Sequence, residues 1–300
     1  MGLFSTCLLL VSMIRFQCLK SEVSNMIVNG FKSKAAAIRY LKSKGHPINS
    51  LLAAPESNPK VAKNGKLDVL TAPLHLAPFD LSGFQVCPQA SDGCAAACLH
   101  TAGNPAYMAQ KDASRKAKTV AYFKERAAFM AVLAFEIHAL QRKAEAQGMK
   151  AGIRLNATSD LPWERRRVDI DGRAVGLMDA FPGVQFYDYT KVTKRALIHA
   201  RGDMPFNYHL TFSKTESNDA DVARVLEAGG NVAAVFSRDA FKSAIASGVA
   251  HGFKLAPWEG APVIDGDAHD YRPAEGMQGA IIALKAKGDA RNDTTGFVIR

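Results

Sequence analysis

Three cysteines fall within one short run, Cys87-Pro88-Gln89-Ala90-Ser91-Asp92-Gly93-Cys94-Ala95-Ala96-Ala97-Cys98. Thiolates are soft metal ligands, and a C-x6-C-x3-C spacing in one loop can bring three of them to one centre. If Cys94 and Cys98 open a helix, their four-residue offset puts both sulfurs on one face, and the helix N-terminus favours their anions. Two metal chemistries fit this donor set. Three cysteines with an open fourth iron suit a substrate-binding 4Fe-4S cluster; alternatively His100 completes a zinc site of three Cys and one His, although a single residue separates it from Cys98. The third reading is three buried thiols packed among small alanines. Cys7 and Cys18 stand apart, so the five cysteines make no disulfide framework, and the clustering points to a reducing compartment.

Polar residues also close a series of β-rich runs: Thr158, Ser159 and Asp160; Asp188, Tyr189 and Lys191; Ser213, Lys214 and Glu216; Ser237, Arg238 and Asp239. In a parallel barrel the chemistry sits at the C-terminal ends of the strands, which makes Asp160, Lys191, Lys214, Arg238 and Asp267 the candidate catalytic residues. Each alone is equally well a turn residue or helix cap. Asp265, Asp267 and His269 alternate and can face one way to bind a divalent ion, or they form a solvated Asp-Gly turn with Asp270 paired to Arg272. Trp163 and Trp258, each beside Pro and Glu, can floor a pocket or pack the core. His75, His138, His199, His209 and His251 have no partner readable in the sequence.

These groups need elements to hold them. From Ala113 to Gln147 the chain lacks Pro and Gly and repeats Val120, Phe123, Ala127, Met130, Leu133, Ala134, Ile137 and Leu140 at helical spacing, which predicts helix in two pieces. Thereafter β-rich runs start at Ile153, Val184, Asn207, Asn231, Pro262 and Ala280, with helical stretches at Lys194–His199, Asp219–Glu227 and Asp239–Ser247 between them. Strands alternating with helices predict parallel βαβ units and an α/β fold, a complete or partial (β/α) barrel. A doubly wound open sheet is the alternative, and neither glycine-rich phosphate-loop motif is present to support it.

The chain has 300 residues, 48% hydrophobic and 22% charged, which suits a large packed core rather than disorder. Its net charge of +10 is concentrated at the N-terminus, where residues 1–66 carry 10 basic and 2 acidic side chains. Ser33 caps an amphipathic stretch with Ala35, Ile38 and Leu41 on one side and Lys34, Arg39, Lys42 and Lys44 elsewhere, stopped by Gly45-His46-Pro47. This small basic helix is either a nucleic-acid-contacting arm or a solvated surface. Residues 54–65, rich in turn formers, read as a linker. Residues 1–25 read as an extension or a mis-called start: the apolar run Leu3–Phe16 is too short to span a membrane, lacks a signal-peptide cleavage site, and matches only the loose acylation pattern from Gly2 to Thr6. The expected divisions are therefore 1–25, a basic helix and linker over 26–65, and the α/β domain over 66–300.

The run CPQASDGCAAACLHTAG, followed by Arg115, Lys118-Thr119 and Arg126-Ala127-Ala128-Phe129, resembles a largely uncharacterised family of bacteriophage and prophage proteins with a Cys-Pro-led trio, a C-L-x-T-x-G continuation and an R-x-x-K-T helix. The likeness continues through the SD, DYTK and IDGDAHD segments and implies phage origin and a place in the bacterial host cytoplasm. More distantly, a cysteine trio after the first strand of a partial barrel is similar to radical S-adenosylmethionine enzymes, which implies an iron-sulfur cluster and that co-substrate. Those enzymes use C-x3-C-x2-C with an aromatic before the last cysteine, where this chain has Ala97, and Asn156-Ala157-Thr158-Ser159-Asp160 replaces their Gly-Gly-Glu-like strand. These departures count against S-adenosylmethionine. The expectation is a phage-type metalloenzyme acting on an unidentified small molecule or nucleic acid. Its rival is a zinc-stabilised, non-catalytic nucleic-acid-binding protein that uses the basic N-terminal helix.

Overall fold

The structure is a computed structural model that describes residues 26–98, 109–250 and 258–300. Gly2, Cys7, Cys18, the 1–25 extension, His100 and His251 lie outside the described residues.

The elements in chain order are α1 (Lys34–Ser43), α2 (Pro59–Ala62), β1 (Val69–Pro73), α3 (Asp92–Ala96), α4 (Ala109–Lys124), α5 (Arg126–Ala146), β2 (Lys150–Arg154), β3 (Arg167–Ile170), β4 (Arg173–Gly176), β5 (Val184–Thr190), α6 (Thr193–Ala200), β6 (Tyr208–Ser213), α7 (Asp219–Glu227), β7 (Val232–Phe236), α8 (Arg238–Ser247), β8 (Val263–Asp265), β9 (Ile281–Lys285) and β10 (Val298–Ile299). The predicted long helix does break in two, at Glu125, whose φ of −124° lies outside the helical range. Asp171 and Gly172, both at positive φ, turn β3 into β4, the geometry that two-residue hairpin loops need.

The main sheet runs β1-β2-β5-β6-β7-β9-β8, and every neighbouring pair is parallel. Up to β9 the strands follow chain order with no reversal. Right-handed crossovers then place successive helices on one face. The core agrees: Leu70, Ile153, Phe186 and Leu210 pack with Phe129 and Leu133 of α5, while Phe212, Val232, Ala234 and Ile281 pack with Val222 of α7 and Phe241 of α8. By strand register these residues share one face. The parallel α/β expectation holds, and up to β9 the order lacks the reversal that marks a doubly wound sheet.

Closure into a complete barrel is not seen: β1 and β8 are the ends of the path and do not pair among the described residues. A polar plug covers the inner face instead. Asn64 donates to Thr71 Oγ1 (3.0 Å) and the Tyr187 hydroxyl (3.1 Å), accepts from the Asp270 amide (2.9 Å), and Tyr271 packs edge-on against Tyr187. The stretch read as a linker is therefore built into the fold as helical turns with Asn64 fully buried. The basic helix α1 docks on α5 through Ala37 and Leu41. Finally, β10 pairs with Val235 and Phe236 of β7, beyond the Ser213–Ala233 pair where β6 ends, so the C-terminal strand wedges into the C-terminal mouth of the sheet.

Candidate functional site

The cysteine loop sits over that mouth and is tied down at several points. Ser91 caps α3 through the Cys94 amide (3.2 Å), and its hydroxyl donates to Glu216 Oε2 (2.7 Å). Glu216 Oε1 also accepts from the Gly93 amide (2.8 Å). Gly93 packs so tightly that a Cβ would run into Thr295 and Phe297, which makes glycine a packing requirement here. Cys94 and Ala97 pack against Ala290, Phe297 and Val298, so the β10 wedge supports the loop from behind.

Cys87 is half-buried; its sulfur accepts from the Phe79 amide (3.5 Å) and reaches the Thr158 carbonyl (4.0 Å). Burial pushes its thiol up to about 11, and the Phe79 N–H and the Lys191 charge offset this only in part. Lys191 is the hub of the site. Its amide donates to Asp160 Oδ2 (2.7 Å), and its ammonium lies near enough to the Cys94 and Cys87 sulfurs for both to act on its charge. Burial opposes the Lys191 charge, yet Cys94 and Asp160 together outweigh it and hold the ammonium above its ordinary range. Cys98 completes the neighbourhood, acting electrostatically on Cys87 and on Arg115 of α4. The three cysteines, Asp160 and Lys191 are thus brought together at the C-terminal ends of β1, β2 and β5. Among the described residues, no group of three His, Cys, Asp or Glu side chains stands close enough to hold a metal ion as placed.

Asp160 has a positioning part in this arrangement. Its second oxygen accepts from Arg195 Nη1 (2.6 Å), and Arg195 also grips Glu164 through Nε and Nη2, both at 2.9 Å. Asn156 threads the same layer: its Oδ1 accepts from Ser159, Leu161 and Trp163 Nε1, while its amide donates to Asp188 Oδ1 (2.6 Å). Trp163 is accordingly a core residue rather than an open pocket floor.

The other sequence candidates have other surroundings. Lys214 is buried, donates to the Thr215 carbonyl (2.7 Å), pairs with Asp219 (3.3 Å) and lies over the Trp258 ring. Arg238 is exposed in the first turn of α8. Asp267 pairs with Lys287 (2.7 Å), and its amide donates to Asp265 Oδ1 (2.8 Å), the hydrogen bond of an Asx turn. The expected Asp270–Arg272 hydrogen bond forms only at the backbone, from Arg272 Nε to the Asp270 carbonyl (3.3 Å), and the carboxylate is not paired with Arg272. Asp270 instead binds Arg154 (3.0 Å) and Lys60 (3.5 Å), while Arg272 binds Glu275 (2.7 Å).

The family model described as Gene product 88 matches residues 48–300. The chain belongs to that family. The match takes in the whole sheet, the cysteine loop and its Glu216 and Lys191 anchors, and supports the expected uncharacterised phage-type family. No curated protein and no solved structure matches the chain. Among the described residues, no helix is long and apolar enough to cross a membrane.

Proposed function

We propose that this Gene product 88 protein is a metalloenzyme in which Cys87, Cys94 and Cys98 hold an iron-sulfur cluster at the mouth of the parallel sheet. The observation that carries the reading is the shared environment of the cysteines: one loop, pinned by Glu216 at Gly93 and by the Asp160 amide at the Val86 carbonyl (2.8 Å), brings the trio to the strand ends where barrel enzymes do their chemistry, with Lys191 nearby. Three thiolates are a soft donor set, and the Lys191 ammonium offsets part of their negative charge. Cys87, Cys94 and Cys98 would hold the metal, and His100, next but one to Cys98 in the sequence, would be the fourth ligand if that metal is zinc. When bound, a cluster of this kind supplies one-electron transfer or an open iron for a substrate. Asp160 and Lys191 position the loop, and Arg115 lies near enough to Cys98 for the two charges to interact.

The test is anaerobic purification of the full chain with iron, sulfide and zinc quantified. A brown protein with broad absorption near roughly 400 nm and stoichiometric iron supports the reading. A colourless protein with one zinc assigns the trio a structural metal, and a metal-free protein overturns both.

A further inference from the structure

Beyond the cysteines, the inner face of the sheet carries a second constellation. Arg154 ends β2, Tyr189 stands near the end of β5, and Thr211 is the register partner of Tyr189 on β6. The Arg154 guanidinium lies 4.8 Å from the centre of the Tyr189 ring. α4 is locked to the same corner: the Ala77 amide donates to Thr119 Oγ1 (2.8 Å), Thr119 Oγ1 donates to the Arg115 carbonyl (2.9 Å), and the Leu74 amide donates to the Arg154 carbonyl (2.8 Å). Arg115, His75 and Arg154 are thereby gathered at one end of the inner face.

This corner is unfinished as a hydrogen-bonding system. Arg115 Nη1, Arg154 Nε, the Tyr189 hydroxyl and Thr211 Oγ1 are all buried without a partner, and Thr211 is completely inaccessible. Buried polar groups are almost always paired, so several together mark a place for a polar guest. The charge balance states its sign. At His75 three cations, Arg115, Arg154 and Lys118, act against one anion, Asp270, which Arg154 and Lys60 already engage; Asp112 and Glu136 offset Arg115 and Lys118 respectively. His75 registers the excess: burial first, then Arg115, Arg154 and Lys118, press its imidazole down to about 3, so it stands neutral and able to donate one hydrogen bond.

We infer that this corner is an oxyanion site, in which Arg115, Arg154, Tyr189 and Thr211 receive a phosphate or carboxylate group of the ligand. Two guanidinium groups and two hydroxyls are the donors such a group takes, and Arg is the side chain suited to its planar or tripodal oxygens. Arg115 also feels Cys98, so the bound anion lies beside the cysteine cluster. The site does not depend on which metal the trio holds.

Calorimetric titration of the full chain with inorganic phosphate and, separately, with succinate tests this, and the anion that binds names the group. One equivalent should bind. Arg115→Gln should weaken it at least about tenfold, the loss expected when a charged hydrogen bond is removed. Arg173→Gln, an exposed residue of β4, should leave it unchanged. Because Arg115 Nη1 is unpartnered, Arg115→Gln should match or exceed the parent in stability without the anion. Should that variant fail to fold, Thr211→Val keeps the shape, removes one donor and carries the same comparison. Binding of neither anion, or wild-type affinity in the folded variant, overturns the assignment.

Discussion

The Lys191 amide donates to Asp160 Oδ2 at 2.7 Å, while the ammonium of the same residue is acted on by the nearby Cys94 sulfur. One residue at the end of β5 therefore holds Asp160 with its backbone and reaches the charge of the cysteine loop with its side chain. Lys191→Met keeps the backbone bond and removes the charge. A metal centre of three thiolates should then be held at least about tenfold more weakly, since a partly buried opposite charge is worth more than about 1.4 kcal/mol. Competition with a chelator measures this, and equal retention in the two proteins would remove Lys191 from the site.

The cysteines should behave as a unit, because taking away one of three thiolates leaves the ion under-coordinated. Serine at Cys87, Cys94 or Cys98 should each abolish metal binding, whereas serine at Cys7 or Cys18 should not. Full metal content in Cys94→Ser protein would refute the proposed centre.

Local signals read well from the sequence, and partnerships across the sheet did not. The two-piece helix between Ala113 and Gln147, the Ser33 cap and the strand ends bearing Asp160 and Lys191 follow from periodicity and turn chemistry, although the position of the helix break does not. That those two would share a site with Cys94 required the strand order. Asp270 shows the limit more sharply: Arg272, two residues away, looked like its partner, but Arg154, 116 positions distant, holds it. Barrel closure was illegible for the same reason, being a property of register between β1 and β8. Glu216 appeared only as a strand-end polar group, and nothing local showed that it pins Ser91 and Gly93.

Asp188 should give the stability curve a measurable acid limb. Burial pushes its carboxyl up to about 7, against the pull of the Asn156 amide, Arg154 and Arg195. Between the ordinary value of 3.8 and about 7 the unfolded chain has lost this proton and the folded chain keeps it, so stability falls as pH rises through that window. The limiting slope for one proton is about 1.4 kcal/mol per pH unit. Asp188→Asn should flatten the fall. The difference between the two proteins is the quantity to measure, because His75 and His209, both held down to about 3 chiefly by burial, slope the opposite way and cancel. Parallel denaturation curves from pH 4 to 7 would show that the carboxyl ionises normally.

Glu136 should be worth more than a surface acid. It accepts from the Leu51 amide (3.0 Å) and the Leu52 amide (2.7 Å) and pairs with Lys34 (2.7 Å), joining the N-terminal segment to α5. Glu136→Ala strands two amides and should cost about 2–4 kcal/mol in urea denaturation. It should also speed hydrogen exchange at Leu51 and Leu52 ahead of the sheet. A loss below about 0.5 kcal/mol would mean that water replaces the carboxylate without penalty.

The same hydrogen bonds and ion pairs reshape what the basic helix can offer to nucleic acid. Lys34 is engaged by Glu136, and Lys42 donates to Asn49 Oδ1 (2.6 Å), while Arg39 and Lys44 are exposed. If this face touches phosphates, Arg39, Lys42 and Lys44 neutralise them and Lys34 does not. Removing the three charges should flatten the dependence of log affinity on log salt by roughly 0.9 for each phosphate no longer neutralised, and about 2.7 at most. Neutralising Lys34 alone should leave that slope as it was and lower stability slightly, since it is half-exposed and its ion pair is screened. Folding should survive the triple change, because Ala37 and Leu41, not the cations, face α5. Titrations of a DNA duplex at several salt concentrations decide the matter: identical slopes for parent and triple variant would place any phosphate binding elsewhere, and no binding by either would make α1 an ordinary solvated helix.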